Sequence, residues 1–433
     1  MLLRQVRSRV WWPWCTRQVR NISDLRPFAY GDNIILENTT DRYAPHILCN
    51  LRPGKIIENH KGIIKHEDIV GKRVRSLVTA VQTSKKATRA SQVYRVYEAS
   101  LDEWVRYSER VVTPLYPSDA NLIVNLLDLH PDPPHAATKQ QSSEPRLEIL
   151  EAGTGHGSLT LYLSRAIHAA NPPLPDLSQA GTGDVHKPEN PETGRSQLQS
   201  NDPRLEEWRN ERRAVLHTIE VSPKHSKHAQ RTVSGFRNGM YARNVDFHIG
   251  DVSEWIQHAM STRGSDPFLS HVILDLPSAP EHFSKVTDAL RVNGTLIVFA
   301  PSITQITECA THVKQSRLEL DLQTVIELGV NGGTGGREWD VRFTRVRNSI
   351  PVRSESTAAP VTEGPTVAAS DEPALINEAM SSGTSDGDSL SHAEAPAGTP
   401  TGAPLHLVCR PKVGERIVGG GFLGVWRKRR AET

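Results

Sequence analysis

The chain has 433 residues, a net charge of +2 and four cysteines, enough length for about two domains of ordinary size. The cysteines (Cys15, Cys49, Cys309, Cys409) lie far apart with no CxxC pair, so neither a zinc knot nor a disulfide scaffold is suggested, which fits a reducing compartment. No stretch reaches the roughly 18 uninterrupted apolar residues of a membrane span, so no membrane partner is expected.

Residues 1–23 carry Arg4, Arg7, Arg9, Arg17 and Arg20 among large apolar side chains, with no acid before Asp24. This composition predicts a mitochondrial transit segment, the alternative being a basic arm that touches nucleic acid. From 24 to 110, short β-rich runs (GDNIILEN, SLVTAVQTS, SQVYRVYEAS) broken by Gly, Asn and Asp predict a small β domain. Lys55, Lys61, Lys65, Lys72, Arg73 and Arg75 make it a candidate RNA surface, and His66 with Glu67 and Asp68 reads as a turn, so no metal site is expected.

The next segment, 111–350, alternates strand and helix patterns. A helix over Ser118–Leu129 precedes the strand and loop LEILEAGTGHGSLTLYL, which opens a helix at Leu159. AVLHTIEV is a second strand ending at Glu220, PKHSKHAQRTVSGFRNGM a helix, NVDFHIGDV a third strand with Asp251 at its end, and SHVILDLP a fourth ending at Asp275. A helix, a turn at Gly294, a fifth strand and the helix ITQITECATHVKQSRL follow. Such alternation predicts an α/β fold with a largely parallel sheet and ligands at the carboxyl ends of its strands.

Two inserts are too polar to offset ordering entropy and are expected to be disordered: about 171–210, and 351–405. The second holds eight acids and no Lys or Arg between 354 and 404. It offsets the basic leader, so the intervening body is mildly basic, which permits an RNA partner without requiring one.

The glycine loop fails the dinucleotide pattern G-x-G-x-x-G/A in both frames, because Ser158 or Thr160 occupies the third position, and no lysine follows to make a P-loop. Instead Glu151, Gly153, Gly155 and Gly157 give acid-x-Gly-x-Gly-x-Gly. Allowing for the first insert, Glu220 lies near the spacing at which a strand-end carboxylate meets a ribose diol, and Asp251 could accept from an adenine amino group. In this order the three features read as an S-adenosylmethionine site, although each alone is an ordinary cap or turn residue.

IIENHKGIIKHEDIVGK, LYPSDANLIVNLLDLHP, ILEAGTGHGSLTLYLSRAI, VILDLPSAPEHFSKVTDAL, FAPSITQITE and REWDVR together resemble the tRNA (adenine(58)-N(1))-methyltransferase catalytic subunits. The resemblance implies a class I S-adenosylmethionine-dependent methyltransferase fold, Rossmann-like with a small N-terminal β domain, and a closing β hairpin over 406–433. It implies cofactor contacts from Leu115, Tyr116, Ala152, Gly153, Thr154, Gly155, His156, Gly157, Ser158, Leu159, Glu220, Asp251, Val252 and Asp275, and a catalytic role for Asp275. It further implies methylation of adenine N1 at T-loop position 58 of tRNA, by a homo-oligomer (a tetramer) or a heteromer with a non-catalytic RNA-binding subunit. Leu276-Pro277-Ser278 lacks the aromatic residue that an N6-methyltransferase places after its acid, which favours N1.

The sequence departs from the family's pattern at Val111, Val112 and Thr113, at Gly419, Gly420 and Gly421, and at His156. With the leader, these departures suggest a divergent, fungal-type mitochondrial member acting in the matrix, the nucleus being the alternative location. The other functions weighed are methyl transfer to a protein isoaspartate or a small molecule, and a non-catalytic RNA-binding subunit.

Overall fold

The structure is a computed structural model and describes residues 26–40, 44–59, 62–81, 92–131, 145–175, 203–329, 339–345, 405–411 and 420–431. The leader and most of both inserts lie outside the described residues. The chain divides into two units, one of 1–336 with 416–433 and a second of 337–415.

The first unit opens with strands β1 (Asn33–Asn38), β2 (Ile47–Asn50), β3 (Ile56–Asn59), β4 (Gly62–Lys65), β5 (Leu77–Thr79) and β6 (Val93–Glu98). Four of them form an antiparallel sheet in the order β2-β1-β6-β5, while β3 and β4 pair as a hairpin. Alternation along β1 explains how this sheet is anchored. Ile34 and Leu36 bury with Leu51, Ile64, Tyr94 and Val96 in the β domain's own core, whereas Ile35 faces the other way and joins the main core. Burying both faces of one strand fastens the β domain to the body. Each such aliphatic side chain contributes about 1.5–3 kcal/mol.

Helices α1 (Leu101–Tyr107) and α2 (Pro117–Leu127) lead into β7 (Leu147–Ala152) and α3 (Ser158–Ile167). Then come α4 (Pro203–Glu211), β8 (Ala214–Glu220), α5 (Pro223–Gly235), β9 (Val245–Ile249), α6 (Val252–Arg263), β10 (Leu269–Leu274), α7 (Phe283–Ala289), β11 (Leu290–Ala300), α8 (Ile303–Gln315) and β12 (Leu320–Leu328). After β13 (Trp339–Arg345) and β14 (Leu405–Pro411), the chain ends with β15 (Gly421–Lys428). Seven strands make one sheet in the order β12-β15-β11-β10-β7-β8-β9. The strands from β9 to β11 are parallel, and β15 runs antiparallel between β11 and β12.

The period of two along the strands separates two cores. Ile149, Ile273 and Ile297 point to one face and pack with α2, α3 and α5, while Leu150, Val272, Leu274 and Leu296 point to the other and pack with α6, α7 and α8. Strand order reverses between β7 and β10, so the chain leaves their paired carboxyl ends toward opposite faces of the sheet, opening the crevice where such sheets bind ligands.

Three expectations need correction. The first insert is not featureless to 210: α4 occupies 203–211, with Leu205 and Trp208 buried and the Trp208 indole N–H donating to the Pro172 carbonyl at 2.9 Å. Its other edge is also fixed, because buried Asn171 exchanges hydrogen bonds with Ala214. The turn expected at Gly294 is a bulge inside a continuous β11, where Leu290 faces Leu269 but Thr295 faces His271. Residues 406–433 are not a hairpin, since β14 pairs with β13 in the second unit and β15 enters the central sheet. Gly421 permits that entry, because a Cβ there would sit 2.8 Å from the Ala300 carbonyl.

Candidate active site

The crevice is built on three close backbone approaches. The Asp275 N–H donates to the Ala152 carbonyl at 2.8 Å, joining the ends of β10 and β7. This leaves no room for a side chain at Gly153: a Cβ would lie 1.9 Å from the Asp275 carbonyl oxygen, and φ is +93°. Gly153 N–H then donates to Ile219 O at 2.9 Å, and Gly155 N–H to the Glu220 carboxylate at 3.0 Å. Gly157 (φ +83°) precedes α3, and a Cβ on it would press within 3.2–3.3 Å of Ala229 on α5. The alternate glycines therefore let the loop pass between β8, β10 and α5.

The preceding segment covers the loop. Ser158 Oγ donates to the Leu115 carbonyl at 2.5 Å, and Tyr116 leads directly into α2 with the Arg110 guanidinium over its ring. Glu220 is mostly buried; its other oxygen accepts from Ser222 N–H at 3.0 Å, and Ser222 in turn caps α5. Asp251 caps α6, its Oδ1 accepting from the N–H groups of Ser253 and Glu254, so only Oδ2 remains for a ligand. Asp275 differs from both: its half-buried carboxylate makes no hydrogen bond to any described residue.

The remaining expected contacts are less direct. The side chains of Ala152, Leu159 and Val252 are buried in the two cores, so only their backbones can meet a ligand. Thr154 is buried, its hydroxyl 2.7 Å from that of Thr218. His156 is buried beside Ser108 Oγ at 3.1 Å, and burial, with His228 adding to it, lowers its pKa to about 4, so the ring is neutral.

Electrostatics select the ligand class. Glu151 lies fully buried under the loop, accepting from the hydroxyls of Thr160 at 2.7 Å and Thr218 at 2.9 Å. Burial raises it to about 8 against those hydrogen bonds, with the Asp275 charge adding to the rise. Burial likewise raises Asp275 to about 7, with Glu220 contributing. The carboxyl groups of Glu220 and Asp275 on nearby strand ends disfavour a pyrophosphate and suit a ligand with net positive charge, while Glu151, held neutral by burial, adds no charge. The cradle fits a sulfonium nucleoside in other respects too. Val221 is 72% exposed and Ile249 59% exposed at the ends of β8 and β9, and the Glu220 and Ile249 backbones are paired, which places apolar surface suited to a purine ring beside the Glu220 carboxylate.

Val221, Ile249 and Thr218 were not singled out in the sequence. The available signals were an apolar residue directly after a strand-end acid, and a threonine two positions before it on the same strand face. Among the described residues no group of three or more His, Cys, Asp or Glu side chains could hold a metal. His66 is a turn residue whose Nδ1 accepts from Arg52 N–H at 2.9 Å.

No family profile matches the chain. Two proteins from separate strains of Thermus thermophilus, each named tRNA (adenine(58)-N(1))-methyltransferase TrmI, are 26% identical over 303 residues, 70% of this chain and 86% of theirs. A solved S-adenosylmethionine-dependent O-methyltransferase from Thermotoga maritima matches with a TM-score of 0.51 at 13% identity, covering 94% of this chain and 97% of that one. The fold is that of a class I S-adenosylmethionine-dependent methyltransferase. A TrmI structure from Aquifex aeolicus gives a TM-score of 0.45 at 14% identity, covering 94% of this chain and all of that one. The glycine loop and the ends of β8 and β9 line one side of the crevice, and Asp275 stands at the switch point of the sheet.

Proposed function

We propose that this chain transfers the methyl group of S-adenosylmethionine to N1 of adenine 58 in the T-loop of tRNA. The observation that carries the reading is the Asp275 carboxylate, free of hydrogen bonds to described residues, at the switch point beside the glycine loop. Support comes from 26% identity over 303 residues to proteins named for this reaction.

When bound, S-adenosylmethionine supplies an electrophilic methyl group on a sulfonium. The loop from Gly153 to Gly157 and Glu220 would hold the donor, and Val221 and Ile249 would offer apolar surface to its purine. Asp275 accepts from the exocyclic N6 amino group of the target adenine, orienting N1 and stabilising the positive charge that develops on the ring. Alignment of the two reactants accounts for most of the acceleration, since N1 is nucleophilic once unpaired. The base must leave the tRNA elbow at an unstacking cost of a few kcal/mol.

The direct test is Asp275→Asn, which keeps the size and removes the charge. Donor affinity by calorimetry should stay within about threefold, while kcat on unmodified tRNA transcript falls by about a hundredfold or more. Undiminished kcat would remove Asp275 from the mechanism.

The composition of residues 1–23 supports a mitochondrial matrix location for this tRNA-binding enzyme, with the nucleus as the alternative. A fluorescent protein carrying residues 1–23 should co-localise with mitochondria, and a diffuse or nuclear signal would count against this. The assembly proposed is a homo-oligomer, a tetramer, or a heteromer with a non-catalytic RNA-binding subunit. Light scattering on the purified chain, paired with an assay of that chain alone, decides between them.

A further inference from the structure

From Val221 to Asn244 the chain has five Lys or Arg residues and two His residues but no acid, although the protein as a whole is nearly balanced at +2. The core of this segment is α5, whose faces are sharply divided. Ser226, Ala229 and Val233 are buried, Ala229 against the glycine loop at Gly157. Lys224, Lys227 and Arg231, at i, i+3 and i+7, are exposed on the outer face. None of the three forms a hydrogen bond or ion pair with a described residue.

The placement of the helix is as informative as its charge. Its first residue lies three positions after Glu220, at the rim of the crevice. Its far end is clamped to the β-domain side: Asn33 Nδ2 donates to Gly235 O at 2.7 Å, and the Trp104 indole donates to Thr232 O at 3.1 Å. Beyond it Arg237 holds a left-handed backbone (φ 44°), and its buried Nε has no partner among the described residues. Arg237 lines a cleft with Asn33, Trp104 and Asn238. Lys224 to Arg231 spans about 10 Å of helix, long enough to meet more than one phosphate of a nucleic-acid strand. The stripe thus connects the crevice to the β domain, whose Lys55, Lys65, Arg73 and Arg75 are also exposed.

We infer that the outer face of α5 is a phosphate-binding track that guides the tRNA backbone between the β domain and the crevice. This rests on the tRNA reading above. Phosphodiester oxygens complement an unpaired Lys-Lys-Arg row, and neutralising them releases counterions, which gives binding a steep salt dependence. The contact is to the backbone, so it supplies grip and register without reading sequence.

The test uses the full chain carrying Lys224→Gln, Lys227→Gln and Arg231→Gln together, with a charge-matched control, Lys285→Gln, Lys314→Gln and Arg317→Gln, on the opposite face of the sheet. Affinity for unmodified tRNA is measured by anisotropy across a salt series, and donor affinity by calorimetry. In the α5 variant the slope of log K against log salt should fall by about 3, and tRNA affinity at low salt should weaken at least about tenfold. KM for tRNA rises, while kcat at saturating tRNA and donor affinity are unchanged. The control should match wild type. An α5 variant with wild-type tRNA affinity and slope overturns the inference, and so does a control that weakens equally, since net charge alone then explains the effect. If the wild-type chain itself fails to bind tRNA, the functional reading fails and the track falls with it.

Discussion

At the scale of single residues, the site stores an electrostatic cost that can be measured. The folded chain raises Asp275 from the usual aspartate value of 3.8 to about 7, mainly by burial. An acid with a raised folded pKa destabilises the fold progressively as pH climbs from the unfolded to the folded value. Asp275→Asn should therefore raise Tm at pH 8, with the advantage shrinking through pH 6 and vanishing near pH 4. Scanning fluorimetry at those three pH values checks this, and a lower Tm for the variant at pH 8 would contradict it. In the proposed mechanism the ionised carboxylate accepts from N6 more strongly than the neutral acid and stabilises the positive ring, so wild-type kcat/KM should rise with pH up to about 7 and then flatten. The positions of Gly153, Glu220 and Asp275 at the ends of β7, β8 and β10 were legible in the sequence because each closes a short apolar run. Val221 and Ile249 were not, because an apolar residue after a strand reads as more strand until its exposure is known.

At the scale of elements, the strands were readable because alternation along β7, β10 and β11 feeds two different cores. α4 is hidden in the sequence for a physical reason. PRLEEWRNE is polar apart from Leu205 and Trp208, both buried, and the Trp208 indole meets the Pro172 carbonyl, a partner 36 positions away that no local pattern announces. Trp208→Ala removes that packing and the hydrogen bond, so it should cost about 3 kcal/mol and lower Tm, while leaving donor affinity near wild type. A Tm unchanged in the variant would mean the helix is dispensable to the fold. β12 is equally hard to read because its nine residues lie at the sheet edge and are mostly exposed, so LDLQTVIEL shows little of the alternation of a half-buried strand. The β13–β14 pairing is concealed by some sixty intervening residues.

At the scale of the whole molecule, a donor bound in the proposed crevice would contact the ends of β7, β8, β9 and β10 and stabilise the folded state by linkage. S-adenosylmethionine at about a hundred times its Kd should add about 2.7 kcal/mol, seen as a rise in Tm, whereas NAD at the same concentration should have no effect. A rise with NAD instead would mean that the loop cradles a pyrophosphate after all. An α/β fold with a largely parallel sheet was legible from the alternation of strands and helices, and the class I architecture from the resemblance, but the proposed substrate rests on the part assigned to Asp275. The most direct measurement is therefore positional mapping of the methyl group after the chain and its Asp275→Asn variant are incubated separately with unmodified tRNA and labelled S-adenosylmethionine. The account predicts N1-methyladenosine at the tRNA elbow from the wild type and about a hundredfold less from the variant. Methylation of a different atom, or equal product from both chains, would contradict it.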